Sequence, residues 1–171
     1  TDVLEKRFKL GGALPGLPSG FTQLDGYTLG FQPTRYYLIG GRPSTGKSAL
    51  LLEIANNISI DLNVPVGYMS LESAFNELMD RTFANRGRIP GQAISTGTFF
   101  KNDFDTITTV ASSLTDHPFY VYDQANAKLD RVISVSRQMV RRHGVKIIFV
   151  DYLQLIRVSG ARDRREQVEK A

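Results

Sequence analysis

Residues 36–48 read Tyr-Tyr-Leu-Ile-Gly-Gly-Arg-Pro-Ser-Thr-Gly-Lys-Ser, and the rest of the chain can be interpreted outward from them. The first part, residues 36–40, is a short apolar run that predicts a β-strand. The second part, residues 41–48, matches the pattern G-x-x-x-x-G-K-[ST] in full. Glycines allow backbone N–H groups to curl around a phosphate, and a following helix adds the positive end of its dipole. The stretch therefore predicts a phosphate-binding loop between a strand and a helix, and not a simple glycine-rich turn.

This loop supplies most of the predicted site. In such loops the lysine, here Lys47, reaches the β and γ phosphates, and the hydroxyl of the last residue, here Ser48, binds Mg²⁺. The predicted cofactors are therefore ATP and Mg²⁺. The residues predicted to bind the nucleotide are Gly41, Arg42, Pro43, Ser44, Thr45, Gly46, Lys47 and Ser48.

Downstream of the loop, short apolar runs alternate with helical patterns. Strands are predicted over residues 66–71, 119–122 and 147–150, and helices over about 47–61, 75–85, 104–114 and 129–140. We expect Asn102 or Asp103 to be the N-cap of the third of these helices. A repeating βαβ order with continuous apolar strands predicts an α/β fold, with a mostly parallel sheet flanked by helices on both faces.

Carboxylates follow three of these strands, at the edge where ligands bind in parallel sheets. Asp151 follows residues 147–150, where it can hold Mg²⁺, whereas without a phosphate loop it would be read as a cap or turn residue. Glu72 is either a base that activates water or a helix N-terminal residue favoured by the dipole. Asp123 is predicted to be structural, because one Mg²⁺ site needs only one or two carboxylates.

Four arginines follow Asp151 and form a basic stretch. Such a stretch either contacts a nucleic-acid backbone or is only solvated, with Arg164 and Arg165 paired to nearby glutamates. The predicted DNA-contacting residues are Arg157, Arg162, Arg164 and Arg165.

The composition is that of an ordinary globular domain. The chain has 171 residues, of which 42% are hydrophobic and 22% charged, and its formal charge of +4 is compatible with nucleic acid without requiring it. The absence of Cys excludes disulfides and thiolate metal sites. No apolar run approaches the ~20 residues that span a bilayer, and there is no signal-peptide pattern or starting Met. We therefore expect a piece of a cytoplasmic protein, in a bacterial cell or in a host if the source is a phage.

Several segments together resemble the DnaB-like replicative DNA helicases. Residues 19–25 (Ser-Gly-Phe-Thr-Gln-Leu-Asp) are similar to the start of that family's ATPase domain, and residues 29–33 (Leu-Gly-Phe-Gln-Pro) to the turn before its first strand. Residues 42–48 resemble its Arg-Pro-Ser phosphate loop. The most specific matches are Ser-Leu-Glu at residues 70–72 and Asp-Tyr-Leu-Gln-Leu at residues 151–155. Ser73 stands where the family usually has Met.

The resemblance implies a RecA-like ATPase domain, with Glu72 as catalytic base and Asp151 in the Walker B role. Lys47 of the phosphate loop is also predicted to be catalytic. It implies a homohexamer that moves along single-stranded DNA and works with a primase and a helicase loader. Residues 10–20 are rich in Gly and Pro, which predicts an interdomain linker over residues 1–20. Residues 21–171 are then expected to be an incomplete domain, truncated on its C-terminal side. The γ-phosphate sensor and arginine finger are expected outside this chain, so the fragment alone should be nearly inactive. The alternatives are a recombinase or KaiC-like ATPase, and a nucleotide-gated assembly module without motor activity.

Overall fold

The computed structural model describes residues 14–157. The chain divides into two compact units, Thr1–Lys47 and Ser48–Ala171. The helices of the described part are α1 (Thr22–Thr28), α2 (Lys47–Asn56, continued by a π-helical segment Asn57–Asp61), α3 (Phe75–Gly87), α4 (Gly91–Thr96), α5 (Lys101–Asp116) and α6 (Leu129–His143). The strands are β1 (Val66–Ser70), β2 (Phe119–Asp123) and β3 (Ile147–Asp151), and a 3₁₀ turn (Leu153–Leu155) follows β3.

The first unit is organised around the short helix α1. The Ser19 amide donates a hydrogen bond to the buried Asp25 carboxylate at 2.8 Å, which anchors the chain just before the helix. Leu17 and Phe31 form an antiparallel bridge on either side of α1. Short helices and single bridges lack a long periodic pattern, which is why the sequence did not predict α1.

The predicted strand at residues 36–40 is wrong. The structure assigns no strand there, and the side chains of Tyr36 and Leu38 are 75% and 73% exposed. An apolar run becomes a strand only when a neighbouring backbone pairs with its N–H and C=O groups. Residues 36–40 are apolar enough for a strand, but hydrophobicity says nothing about whether that partner is in place.

The second unit contains a three-stranded parallel sheet in the order β2-β1-β3. Ser70, at the end of β1, is level with both Asp123 on β2 and Asp151 on β3. The predicted strands and their parallel arrangement are therefore confirmed. The sheet brings the ends of all three strands, and the carboxylates there, to one edge.

Side chains on both faces of the central strand are buried, as predicted for a sheet covered by helices. On one face Met69 packs with Val135 and Met139 of α6 in a core cluster. On the other face the Tyr68 ring lies 6.0 Å from the ring of Phe119, which lines a cavity together with side chains of α3 and α5. Helices therefore flank the described sheet on both sides.

The predicted helices are present, but α5 begins earlier than expected. Its N-cap is Phe100, and the Asp103 carboxylate accepts a hydrogen bond from the Phe100 amide at 2.8 Å. The prediction that Asn102 or Asp103 is the N-cap is therefore wrong. Asp103 instead occupies the third helical position, where an acidic side chain can reach back to the capping residue.

Candidate active site

The phosphate loop of the first unit is curled around one carbonyl oxygen. The Thr45 hydroxyl and the Lys47 ammonium each donate a hydrogen bond to the Arg42 carbonyl at 2.7 Å. Gly46 has φ of +88°, a conformation that favours glycine, and a Cβ on Gly41 would lie 2.9 Å from the Thr45 hydroxyl. The loop therefore requires its glycines, and the partner of Lys47 is a neutral carbonyl that phosphate oxygens can replace.

In the second unit the Ser48 hydroxyl meets the Asp151 carboxylate. Ser48 lies in the first turn of α2 and Asp151 ends β3, and the hydroxyl donates to Oδ1 at 3.0 Å although the residues are 103 positions apart. Asp151 is 5% exposed. The two residues predicted to hold Mg²⁺ are thus brought together by the fold.

The other oxygen of Asp151 is also held. The Tyr68 hydroxyl donates a hydrogen bond to Asp151 Oδ2 at 3.2 Å. Burial of Tyr68, and secondly the charge of Asp151 and the hydrogen bond to it, raise the pKa of the tyrosine far above its usual value. Tyr68 is therefore a neutral donor at any ordinary pH, and both carboxylate oxygens have a hydroxyl partner.

The donor set at Asp151 fits a magnesium ion bound together with phosphates. Within residues 14–157 there is no group of three or more His, Asp or Glu side chains arranged to hold a metal. Mg²⁺ at nucleotide sites takes one or two protein ligands and completes its octahedron with phosphate oxygens and water. A hydroxyl and a carboxylate 3.0 Å apart provide that pair.

Glu72 follows β1 in a turn that is anchored on both sides. The Ser70 hydroxyl donates to the Ser73 carbonyl at 2.5 Å, and the Leu71 amide donates to the Asp151 carbonyl at 2.8 Å. Glu72 itself is exposed and has no hydrogen-bond or ion-pair partner among the described residues. Its carboxylate is thus presented at the carboxyl edge of the sheet without a structural partner to occupy it.

Asp123, the third carboxylate at this edge, has a structural partner. Its Oδ2 accepts a hydrogen bond from the Phe75 amide, the first of α3, at 3.0 Å. An acceptor at a helix N-terminus satisfies an amide that has no partner inside the helix. This hydrogen bond supports the structural role predicted for Asp123.

Of the four predicted DNA-contacting arginines, the structure describes one. Arg157 is exposed, and its backbone pairs with the start of α6 through hydrogen bonds to Ala127 and Leu129. Arg162, Arg164 and Arg165 lie outside the described residues.

Tyr68 belongs to this site, although the sequence does not single it out. A tyrosine within an apolar strand is typical of a core position. The one available signal is the two-residue period of a strand, which places Tyr68 on the same face of β1 as Ser70. Ser70 is level with Asp151 on the neighbouring strand β3.

Comparison with known proteins identifies the family. The model of the DnaB-like helicase C-terminal domain matches residues 16–171. The chain belongs to this family. It is 33% identical to the replicative DNA helicase DnaC of Bacillus subtilis over 97% of its own length and 37% of the relative's. It is 36% identical to the replicative DNA helicase DnaB of Treponema pallidum over 91% of its length and 36% of the relative's. The chain therefore spans little more than a third of these DnaB-like relatives.

Solved DnaB-like structures have the same fold. The ATPase domain of G40P superposes with a TM-score of 0.90 and 31% identity, over 99% of this chain and 61% of that one. A DnaB-like replicative helicase studied for its interactions with primase gives a TM-score of 0.88 at 31% identity, over 98% and 42% of the two chains. These likenesses confirm the predicted RecA-like α/β class. The family match favours the helicases over the recombinase and KaiC-like alternatives.

Proposed function

We propose that this chain is part of the ATP-binding and hydrolysing motor domain of a hexameric replicative DNA helicase, which unwinds duplex DNA while translocating on single-stranded DNA. The observation that carries the proposal is the hydrogen bond from Ser48 to Asp151 across 103 residues of sequence. A phosphate-loop hydroxyl and a strand-end carboxylate in contact are the paired Mg²⁺ ligands of such ATPases. The replicative helicases among the relatives support the same class.

The phosphate loop is proposed to bind the nucleotide. Backbone amides of residues 41–48 would surround the phosphates, and Lys47 would exchange its bond to the Arg42 carbonyl for β and γ phosphate oxygens. That exchange replaces a neutral acceptor by a charged one, which adds an ion-pair attraction to a hydrogen bond whose donor is already charged. Lys47 therefore favours the nucleotide-bound state.

Mg²⁺ would be held by Ser48 and Asp151, the latter through a water. Bound there with ATP, the ion neutralises charge that develops on the transferred phosphoryl group. The protein contributes a buried carboxylate that already contacts Ser48, the other proposed ligand. Little reorientation of Asp151 is then needed when the ion binds.

Glu72 is proposed to orient and deprotonate the attacking water. The role suits a carboxylate that is exposed at the carboxyl edge of the sheet and has no other partner among the described residues. The turn closed by Ser70 and Ser73 keeps its backbone in place. Asp123 does not compete for the role, because it caps α3.

The proposed polymer substrate is single-stranded DNA, contacted by Arg157, Arg162, Arg164 and Arg165. Four arginines per subunit could follow a phosphate backbone. The basic stretch begins at Arg157, six residues after the proposed metal carboxylate Asp151. The test is single-strand binding by the full-length protein with Arg162→Ala and Arg164→Ala. Each lost phosphate contact should flatten the salt slope by about 0.7. If both variants bind single-stranded DNA with wild-type affinity and salt slope, the arginine stretch is only a surface loop.

The complete protein is proposed to be a cytoplasmic homohexamer that works with a primase and a loader. An arginine finger donated by a neighbouring subunit is worth ~10³–10⁵ in rate in related NTPases. The 171-residue chain by itself should therefore hydrolyse ATP far more slowly than the hexamer. Within residues 14–157, none of the helices is both long and apolar enough to cross a bilayer.

The nucleotide assignment is tested with Lys47→Ala in the full-length protein, by calorimetric titration of ATP. Loss of the charge should weaken binding by ~1–3 kcal/mol. Lys101→Ala, which removes an exposed lysine from the start of α5, is the matched control. Unchanged affinity in Lys47→Ala would reject the proposed site. Binding without DNA-stimulated turnover in the wild type would instead indicate an assembly module.

A further inference from the structure

Among residues 14–157, Tyr68 is the one side chain hydrogen-bonded to Asp151 that has no part in the function proposed above. It lies in the middle of the central strand β1, and its side chain is completely buried. Its ring packs between those of Phe119 and Phe149, at centroid distances of 6.0 and 6.3 Å. Its hydroxyl reaches Asp151 Oδ2 at 3.2 Å.

The sheet register explains how the hydroxyl arrives there. Tyr68 is level with Phe149 on β3, and Asp151 is two residues further along the same strand and on the same face. The tyrosine side chain is long enough for its hydroxyl to extend from the level of Phe149 to that of Asp151, toward the carboxyl edge of the sheet. The two flanking aromatic rings hold the phenol in that direction. A phenylalanine at this position would fill the core but would leave Oδ2 without this donor.

Both oxygens of Asp151 are consequently held by groups from different elements. Oδ1 accepts from Ser48 in α2 and Oδ2 accepts from Tyr68 in β1. A carboxylate held at one oxygen can still rotate about its Cβ–Cγ bond, whereas one held at both has a single orientation. Groups that orient a metal ligand in this way typically change metal affinity 10- to 100-fold when they are removed.

We propose that Tyr68 is a positioning residue for the metal carboxylate, and that its hydroxyl keeps Asp151 in the orientation that receives Mg²⁺. The inference rests on the proposed role of Asp151 at the metal. A purely structural role for Tyr68 would depend on the packing of its aromatic ring and not on its hydroxyl oxygen. Tyr68→Phe removes only that oxygen, so it separates the two roles.

The test measures how much Mg²⁺ strengthens ADP binding to the full-length protein, by calorimetric titration at a series of Mg²⁺ concentrations. In Tyr68→Phe the metal-free ADP affinity should stay within about 2-fold of wild type, because no phosphate contact is lost. The Mg²⁺ concentration that gives half of the maximal increase in ADP affinity should rise ~10-fold or more. Tyr120→Phe is the matched control. It removes a phenol oxygen from β2, where the ring stacks on His143 at 4.2 Å, away from Asp151.

Asp151→Asn distinguishes failure of this inference from failure of the proposed function. Loss of the Mg²⁺ response in Asp151→Asn together with a wild-type response in Tyr68→Phe overturns the positioning role and leaves the metal site standing. A wild-type response in both variants overturns the metal site itself. Tyr68→Met, which also fills an apolar site without a hydroxyl, is measured alongside and should show the same weakened response. A wild-type Mg²⁺ response in either folded Tyr68 variant rejects the proposal.

Discussion

Replacing Glu72 by Gln separates catalysis from binding and folding. The change keeps the shape of the side chain and removes its charge. Since Glu72 is exposed and has no partner among the described residues, the free energy of unfolding should change by no more than about 0.5 kcal/mol. ATP affinity should also be retained, because the proposed phosphate ligands are untouched. The rate of hydrolysis should fall ~10²-fold or more, which corresponds to ~2.7 kcal/mol in the activation barrier.

The assay compares steady-state ATP hydrolysis, calorimetric ATP binding and urea denaturation in the full-length protein. Glu77→Gln is the matched control, because it removes an exposed carboxylate from α3 whose only described ion pair is a surface contact of 4.0 Å with Arg81. That contact should contribute ~0–1 kcal/mol to stability and nothing to turnover. If Glu72→Gln lowered ATP affinity and hydrolysis by the same factor, Glu72 would be a structural residue, and the reasoning from its exposed position would be refuted.

Three further predictions concern stability and are checked by urea denaturation. Asp123→Ala removes the acceptor at the first amide of α3 and should lower the free energy of unfolding by ~0.5–2 kcal/mol, with Mg²⁺-dependent ADP binding unchanged. Gly67→Val should lower it by ~1–3 kcal/mol, because even a Cβ there would meet the Met139 sulfur at 3.0 Å; a neutral result would mean that the Met139 side chain can move away. Arg86→Ala breaks hydrogen bonds to Asp61 at 2.9 and 3.2 Å and should cost ~1–3 kcal/mol, whereas a cost near zero would show that solvent screens the pair.

The sequence predicts the strands of the second unit well because their apolar runs are continuous, and the central strand is buried on both faces. Val66–Ser70 is buried at every position, and such a strand is recognisable from its residues alone. Residues 36–40 have a similar composition but no strand in the structure. The difference is the pairing partner, which hydrophobicity does not encode. The N-cap of α5 was misplaced for a related reason, since Asp103 favours a helix start equally well as cap or as third residue.

The sequence by itself determined which residues are candidates for the chemistry of this protein. The phosphate-loop pattern, the carboxylates at the strand ends and the motifs around Glu72 and Asp151 are local features, because each depends on residue types at short spacing. Whether these groups meet depends on the tertiary structure, which brings Ser48 to Asp151 as predicted and adds Tyr68, which the sequence did not single out. Ser48 and Asp151 are 103 residues apart, and Tyr68 reaches Asp151 only because parallel pairing sets β1 and β3 in one register. Side-chain contacts between distant segments depend on sheet order and register, and no local pattern in the chain specifies either of them.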